Sequence, residues 1–171
     1  MMGIAEFFKW LFEQFQDYIL PFIIIPVYER GVRLRVGKNP TVLSAGWHWK
    51  IPFLDHVHTC IITVDTMATH AVHLTTKDNK TITVTPVIEF EIEDALKWII
   101  YTNDAITNLH DLARGEVADY LSDTNWEDCT KKPTATAIKN KLANKVKDMG
   151  AKIHRVVLAD IAVSKVFITQ I

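Results

Sequence analysis

The sequence predicts an α+β fold in which an antiparallel sheet of several strands precedes two or three helices and a C-terminal strand. Apolar and polar residues alternate through the first half of the chain, most clearly over residues 81–93. Helical spacing of apolar residues follows over residues 103–123 and 134–149. Because the strands come before the helices, an α+β arrangement fits better than a repeating βαβ series. An amphipathic helix over residues 4–19 is predicted in front of all these elements.

The N-terminal helix has its apolar side chains on one side and its charged side chains on the other. Aromatic-rich helices of this type lie in the plane of a membrane interface. The residues predicted to contact the bilayer are Ile4, Phe7, Phe8, Leu11, Phe15, Tyr18, Ile19, Phe22, Ile23, Ile24 and Ile25. A helix that docks onto a partner protein or packs into the core is the alternative.

The apolar run behind this helix is too short to cross a membrane. It extends over residues 18–28 without a charge, whereas a spanning helix needs about 20 apolar residues. Pro21 and Pro26 also interrupt it. We therefore expect monotopic attachment, with residues 1–26 as the anchor and residues 20–26 as a re-entrant wedge. Acidic residues within the helix argue against a secretory signal peptide.

Four strands are predicted between the anchor and the clear alternation. Residues 27–38 alternate apolar and charged side chains, and residues 45–55 place aromatic residues on a short strand. Residues 57–65 and 68–76 predict two further strands, which we expect to pair with each other.

The strongest strand pattern covers residues 81–93. Its threonines and glutamates share one face and its apolar residues the other. The apolar residues are Ile82, Val84, Ile88, Phe90 and Ile92. Pro86 within this run predicts an edge strand or a bulge, because proline has no backbone N–H to donate.

Two or three helices follow. A short one is predicted over residues 94–101, and a longer one over residues 103–123 with Asn103 as its N-cap. The buried side of the longer helix is predicted to carry Ile106, Leu109, Ala113, Val117, Tyr120 and Leu121. Residues 134–149 predict another helix, which Gly150 ends.

Four motifs resemble one protein family. They are Glu-Arg-Gly-Val at 29–32, Ile-Pro-Phe-Leu-Asp at 51–55, Leu-Thr-Thr-Lys-Asp-Asn at 74–79, and the apolar strand over 150–161 that ends in Asp-Ile. Together they make residues 27–161 similar to the stomatin, prohibitin and flotillin family, whose common unit is the SPFH or Band 7 domain. The resemblance implies a membrane-associated scaffold that assembles into rings or cages, without catalysis or a cofactor.

The chain departs from the family pattern in two places. Ser44-Ala45-Gly46 stands where relatives usually carry Pro-Gly, and only residues 162–171 follow the domain where relatives commonly continue into a long heptad helix. Ten residues cannot form a coiled coil. We expect them to extend the last strand, with an edge that pairs with another subunit. A minimal family member and a shortened longer chain both fit this ending.

Charge is unevenly distributed along the 171 residues, although the net charge is only −1. Residues 78–128 hold twelve acidic and three basic residues, a net charge of −9, while residues 129–155 hold one acidic and eight basic residues, a net charge of +7. Opposite patches allow head-to-tail contacts between subunits. The predicted oligomer interface comprises Glu89, Glu91, Asp111, Asp119, Lys139, Lys141, Lys145, Lys147, Val166, Phe167 and Ile168. Alternatively, the lysines only solvate one flank of a helix, or the charges pair with each other within one subunit.

Catalytic and metal-binding patterns are weak in this sequence. Five histidines lie between His48 and His73, and His56 and His58 share one strand face, a spacing that suits a metal. No recognised metal or nucleophile motif accompanies them. The two cysteines, Cys60 and Cys129, occur without a secretory pattern and indicate a reducing compartment. Neither a catalytic residue nor a metal site is predicted.

We therefore expect a non-enzymatic, membrane-associated homo-oligomer that organises a membrane patch or regulates membrane proteins such as proteases or channels. Its expected partners are the lipid bilayer, further copies of itself and such a protease or channel, and no nucleic acid. The basic residues Arg30, Arg33, Arg35 and Lys38 behind the anchor favour the cytoplasmic side. The alternatives are an interaction module whose N-terminal helix docks onto a protein and, third, a histidine-based metal-dependent enzyme.

Overall fold

A computed structural model of the protein describes residues 3, 6, 21–100 and 103–163. The predicted apolar stripe of the N-terminal helix and the tail residues Val166, Phe167 and Ile168 lie outside these residues. The chain forms two compact units, Met1–Ile62 and Thr63–Ile171. None of the helices in the described part of the chain is long and apolar enough to cross a bilayer.

The described residues of the first unit form two antiparallel sheets. In the smaller one, β1 (Phe22–Ile25) pairs with β4 (Gly46–Trp49). In the larger one, β2 (Glu29–Arg35) lies between β3 (Thr41–Leu43) and β5 (Asp55–Ile61).

The apolar residues of β1 fall within the wedge predicted over residues 20–26. They form a strand whose last residue, Ile25, is 2% exposed, so that its side chain is buried in the protein and not available to lipid. Gly31 makes room for it, because a Cβ at Gly31 would lie only 2.5 Å from Ile25 Cδ1. β1 therefore lies within residues 1–26, the segment predicted as the anchor.

The pairing predicted for residues 57–65 and 68–76 is wrong. The structure pairs β5 with β2 along the full length of both strands, from Glu29 opposite Ile61 to Arg35 opposite Asp55. The later strands join a different sheet. Alternation within a strand does not identify its partner, because partners are chosen by contacts between distant segments.

Over residues 63–100 and 103–163, the second unit forms a sheet centred on β8 (Thr81–Ile92). β9 (Ala151–Val163) pairs along one edge of β8. β6 (Asp65–Ala68) and β7 (Val72–Thr75) pair with opposite halves of β8 and lie end to end along its other edge. All these pairings are antiparallel, as predicted.

The two faces of β8 agree with the prediction, because its residues alternate between buried and half-buried along almost the whole strand. The expectation of an edge strand at Pro86 is wrong. Pro86 O accepts a hydrogen bond from Thr69 N, so Pro86 lies inside the sheet. The carbonyl oxygen and the nitrogen of one strand residue point to the same side, so the Pro86 nitrogen faces the edge of β8 that pairs with β6 and β7. It lies at the gap between the β8 segments that pair with these two strands, where no N–H is needed. An irregularity in the ladder with β9 lies nearby, between Thr83 and Thr85.

In the second unit the described residues form the helices α1 (Ala95–Ile100), α2 (Ala105–Ser122), α3 (Trp126–Cys129) and α4 (Lys132–Val146), followed by a 3₁₀ turn at Lys147–Met149. The sequence predicts α1, α2 and α4 within a few residues, and it does not predict α3. Helix α4 starts earlier than expected because Pro133 fits the first helical turn.

Asp104, and not Asn103, caps α2. Its carboxylate accepts hydrogen bonds from Thr107 N at 3.0 Å and from Thr107 Oγ1 at 2.7 Å, which hold the pKa of Asp104 below its usual value. The prediction is therefore one residue early. Aspartate satisfies the same free N–H groups at a helix start as asparagine does.

The core of the second unit lies between the sheet and the two long helices. Helix α4 contacts β9 and α2, and α2 contacts β7 and β8. The residues buried most fully at this interface are Ile82, Val84, Ile88, Leu109, Val117, Leu121, Ile138, Leu142 and Val146. Ile106 and Tyr120 are not fully buried as predicted, since Ile106 is exposed and Tyr120 is only half-buried on α2.

Candidate functional site

The small sheet of the first unit carries an exposed apolar face. Cross-strand partners of β1 and β4 place Phe22 beside Trp49 and Ile24 beside Trp47 on this face, whereas Ile23, Ile25 and His48 belong to the other. The ring centroids of Phe22 and Trp47 are 6.0 Å apart, and those of Trp47 and Trp49 are 4.8 Å apart. We call Phe22, Ile24, Trp47 and Trp49 the aromatic face.

The aromatic face is unusual because it is open to solvent. Ile24 is 67%, Trp47 51% and Trp49 61% exposed. Clustered exposed apolar side chains mark a membrane or protein interaction surface. Of the residues predicted to contact the bilayer, Phe22 and Ile24 lie on this face, and Ile23 and Ile25 do not. Sequence reasoning missed the tryptophans, although the Trp-x-Trp spacing on a short strand could have found them.

A second apolar element of the first unit is the turn after β4. Phe53 is exposed and has a φ of 67°, so the backbone is left-handed there, which is uncommon for a phenylalanine. Ile51 and Leu54 are also exposed. Asp55 Oδ2 accepts a hydrogen bond from Ile51 N at 2.8 Å and so closes the turn. The Ile-Pro-Phe-Leu-Asp motif therefore builds a tip with apolar side chains that the aspartate holds in shape.

Asp55 is itself fixed by an arginine. Arg35 Nε and Nη2 donate to the two carboxylate oxygens of Asp55 at 2.5 and 2.7 Å, a bidentate pair between the end of β2 and the start of β5. The hydrogen bonds from Arg35, followed by the one from Ile51 N, lower the pKa of the buried Asp55 to about 2. The pair stabilises the register of the larger sheet and the adjacent turn.

In the second unit, Glu91 and Lys145 of the predicted oligomer interface form ion pairs with neighbouring elements of the chain. Glu91 lies 3.3 Å from Lys152 Nζ and 3.2 Å from His154 Nε2, both on the neighbouring strand β9. Lys145 pairs with the buried carboxylate of Glu116 across α4 and α2, and this contact raises the pKa of Lys145. For Glu91 and Lys145, pairing within one subunit therefore accounts for the charge pattern.

The remaining predicted interface residues have mixed surroundings. Lys141 Nζ lies over the Tyr120 ring at 5.3 Å, and Asp111 is 3.8 Å from Arg114 on the same helix. Among the described residues, no ion pair is formed by Glu89, Asp119, Lys139 or Lys147. Glu89 faces Arg155 in the β8–β9 ladder.

The hairpin between β7 and β8 is fastened to α3. Asp78 Oδ1 accepts hydrogen bonds from Thr76 Oγ1 at 2.6 Å and from Trp126 N at 3.0 Å, and Lys77 N donates to Thr124 O. The bonds to Asp78, with that from Thr76 the strongest, lower the pKa of Asp78 to about 2. This hairpin motif therefore caps a helix that is distant in sequence.

The histidines are spread over separate elements. His56 and His58 share a face of β5, His48 Nε2 lies 2.6 Å from Ser44 O, and His73 Nδ1 lies 2.8 Å from Thr83 Oγ1. The described part of the chain contains no group of three or more histidine, cysteine, aspartate or glutamate residues arranged to hold a metal.

Comparison with known proteins identifies the class. The model of the SPFH domain / Band 7 family matches residues 23–171, and the chain belongs to this family. The match starts at Ile23, the second residue of β1, and therefore covers Ile24, Trp47 and Trp49 of the aromatic face.

Individual relatives are more distant. The modulator of FtsH protease HflC of Escherichia coli K12 is 31% identical over 96 residues, which cover 52% of this chain and 27% of that protein. Protein HflK of Vibrio cholerae is 28% identical over 107 residues, covering 60% and 27%, and Protein HflC of Buchnera aphidicola is 29% identical over 106 residues, covering 58% and 33%. The chain thus matches a third or less of each relative.

Proposed function

We propose that the protein is a non-enzymatic, membrane-attached scaffold that assembles from copies of itself and regulates a membrane protein such as a protease or channel. Membership of the SPFH family supports the scaffold role, and the name of the Escherichia coli relative, a modulator of FtsH protease, supports a protease as the regulated partner. The single observation that carries the membrane part is the exposed aromatic face.

The aromatic face suits the boundary between lipid and water. Tryptophan combines a large apolar ring with an N–H donor and is enriched at this depth of a bilayer. The exposed turn with Phe53 adds a further apolar side chain in the same unit. We propose that this face and the apolar stripe predicted over residues 4–19 attach the protein together, with the folded part on the cytoplasmic side.

Self-assembly is the second part of the proposal. Of the charged residues predicted to align subunits, Glu89, Asp119, Lys139 and Lys147 have no ion-pair partner in the part of the chain that the structure describes, and they are the candidates for contacts between copies. The tail residues Val166, Phe167 and Ile168 remain predicted contacts. The charge contribution is modest for each exposed pair, about 0–1 kcal/mol, so several must act together.

The alternative function is a protein-interaction module. An exposed apolar face also suits a protein partner, and aromatic residues are common in such interfaces. The two functions differ in one property, because only the scaffold proposal requires binding to protein-free lipid vesicles.

Replacing Trp47 and Trp49 by serine is expected to lower the membrane partition coefficient of the full chain at least about tenfold. Loss of about 25 cal/mol per Å² of apolar burial at the bilayer accounts for this change. Flotation with liposomes of neutral and anionic lipid measures it. The matched control is Ile106→Ser, which removes a similarly exposed apolar side chain, 53% exposed, from the second unit.

If the double variant floats as well as the unmodified protein while the control also floats, the aromatic face does not attach the protein. If the unmodified protein itself fails to float, the interaction-module alternative is favoured. The melting temperature of each variant checks that the domain remains folded.

A further inference from the structure

A groove of about 630 Å³ in the second unit lies between α4 and β9. The residues after α3 and the first half of α4, including Ala135 and Lys139, form one wall. Residues 154–158 and Ile161 of β9 form the other.

The groove follows the outer edge of β9. Val156 and Leu158 pair with buried residues of β8 and share the helix-covered face of the sheet, whereas Arg155 and Val157 share the opposite face. Because side chains of both faces line the groove, it runs along the edge of the strand itself. Among the described residues, β9 pairs only with β8, so the backbone N–H and C=O groups on this edge have no strand partner.

The groove is basic. Its lining contains Lys131, Lys132, Lys139 and Arg155, together with His154, and no aspartate or glutamate. Lys131 is neutralised by Asp128 at 2.5 Å, which raises the pKa of Lys131. Within the part of the chain that the structure describes, Lys132, Lys139 and Arg155 have no ion-pair partner. The apolar residues of the lining are Ala135, Val156, Val157, Leu158 and Ile161, which we call the apolar strip.

We propose that this groove binds an extended, acidic segment of a partner protein, which adds to the sheet as a strand beside β9. The open edge supplies main-chain hydrogen bonds, a known mode of peptide recognition. The cations select carboxylates, and the apolar strip receives the aliphatic side chains of the segment. Charge complementarity favours this occupant, because a segment with carboxylates neutralises cations that have no acidic neighbour in the groove.

Binding of a peptide in this groove is separate from membrane attachment and can be measured without lipid. A fluorescein-labelled peptide of about ten alternating glutamate and valine residues is titrated with the full chain in low salt, and fluorescence anisotropy is measured. We expect saturable binding, and about tenfold weaker binding to Lys132→Glu with Lys139→Glu, because two attractive contacts become repulsive.

Two controls separate the groove from general charge. Lys77→Glu with Lys141→Glu changes the net charge equally outside the groove and is expected to leave binding unchanged. A peptide N-methylated at alternate residues keeps its charge but loses strand hydrogen bonding along one edge. Methylation of the odd-numbered residues blocks one edge of the peptide strand, and methylation of the even-numbered residues blocks the other. We expect the peptide whose blocked edge faces β9 to bind at least about tenfold more weakly than the parent peptide, so both methylated peptides are compared.

Equal binding to both double variants, or equal binding of both N-methylated peptides and the parent peptide, overturns the proposal. Absence of binding to the unmodified protein also overturns it. If no peptide binds and the oligomer mass falls in Lys132→Glu with Lys139→Glu, the groove is instead an interface between copies. Far-UV circular dichroism and melting confirm that each variant is folded. These outcomes do not depend on whether the aromatic face binds lipid.

Discussion

Replacing Gly150 by alanine is expected to destabilise the second unit by about 3 kcal/mol. Gly150 has a φ of 85°, a left-handed conformation that costs an L-residue about 1–2 kcal/mol. A Cβ there would also collide with the backbone carbonyl of Asp94. Relief requires moving the backbone, because Gly150 O accepts hydrogen bonds from Glu93 N at 3.0 Å and Asp94 N at 2.9 Å.

Gly37→Ala is the matched control for this substitution. Gly37 has a similar φ of 74°, but a Cβ there would meet nothing within 4 Å. The loss of stability in Gly37→Ala therefore reports only the cost of a left-handed backbone at an alanine, about 1–2 kcal/mol. Urea denaturation of both variants measures the difference. Equal losses in the two variants would show that the contact with Asp94 is unimportant.

Asp55→Asn is expected to reduce the free energy of unfolding at neutral pH by about 2 kcal/mol. The folded pKa of Asp55 is about 2, below its usual value of 3.8, and each pKa unit corresponds to about 1.4 kcal/mol. The stabilisation is present above pH 4 and is lost as the pH falls through the folded pKa. The variant should therefore lose less stability than the unmodified protein between about pH 4 and pH 2.

Asp78 has a similarly lowered pKa and contributes to the same acid window. The useful quantity is therefore the difference in unfolding free energy between the unmodified protein and Asp55→Asn at each pH. Asp148→Asn removes an exposed carboxylate and serves as the control. A difference for Asp55→Asn that stays constant from pH 6 to pH 2 would contradict the role given to its pair with Arg35.

Local patterns in the sequence predict several elements well. The alternation over β8 and the spacing of Leu109, Val117 and Leu121 in α2 are examples. In each case a single strand or helix buries one of its own faces, so its own sequence carries the whole pattern. The sequence does not predict that β5 pairs with β2 or that Pro86 lies inside the sheet. Both depend on which distant segment of the chain lies beside the strand.

The functional surfaces are predicted less completely for a similar reason. Ile24 and Ile25 are neighbours of the same type, yet one is exposed and the other buried, because the strand turns alternate residues to opposite faces. Apolarity alone does not distinguish a membrane wedge from a strand with one buried face. Charge counting likewise placed Glu91 and Lys145 in an interface, although each has a partner on an adjacent element.

The most direct test of membrane attachment through the aromatic face is quenching of tryptophan fluorescence by lipids brominated on their acyl chains. Trp47→Phe with Trp49→Phe keeps the face apolar but removes its two reporters, and Trp98 supplies a buried background in the second unit. We expect that bound unmodified protein is quenched and that the double variant, bound equally, loses more than half of this quenching. Trp10→Phe measures the separate contribution of the N-terminal segment. Undiminished quenching in the double variant would contradict contact between the aromatic face and the bilayer.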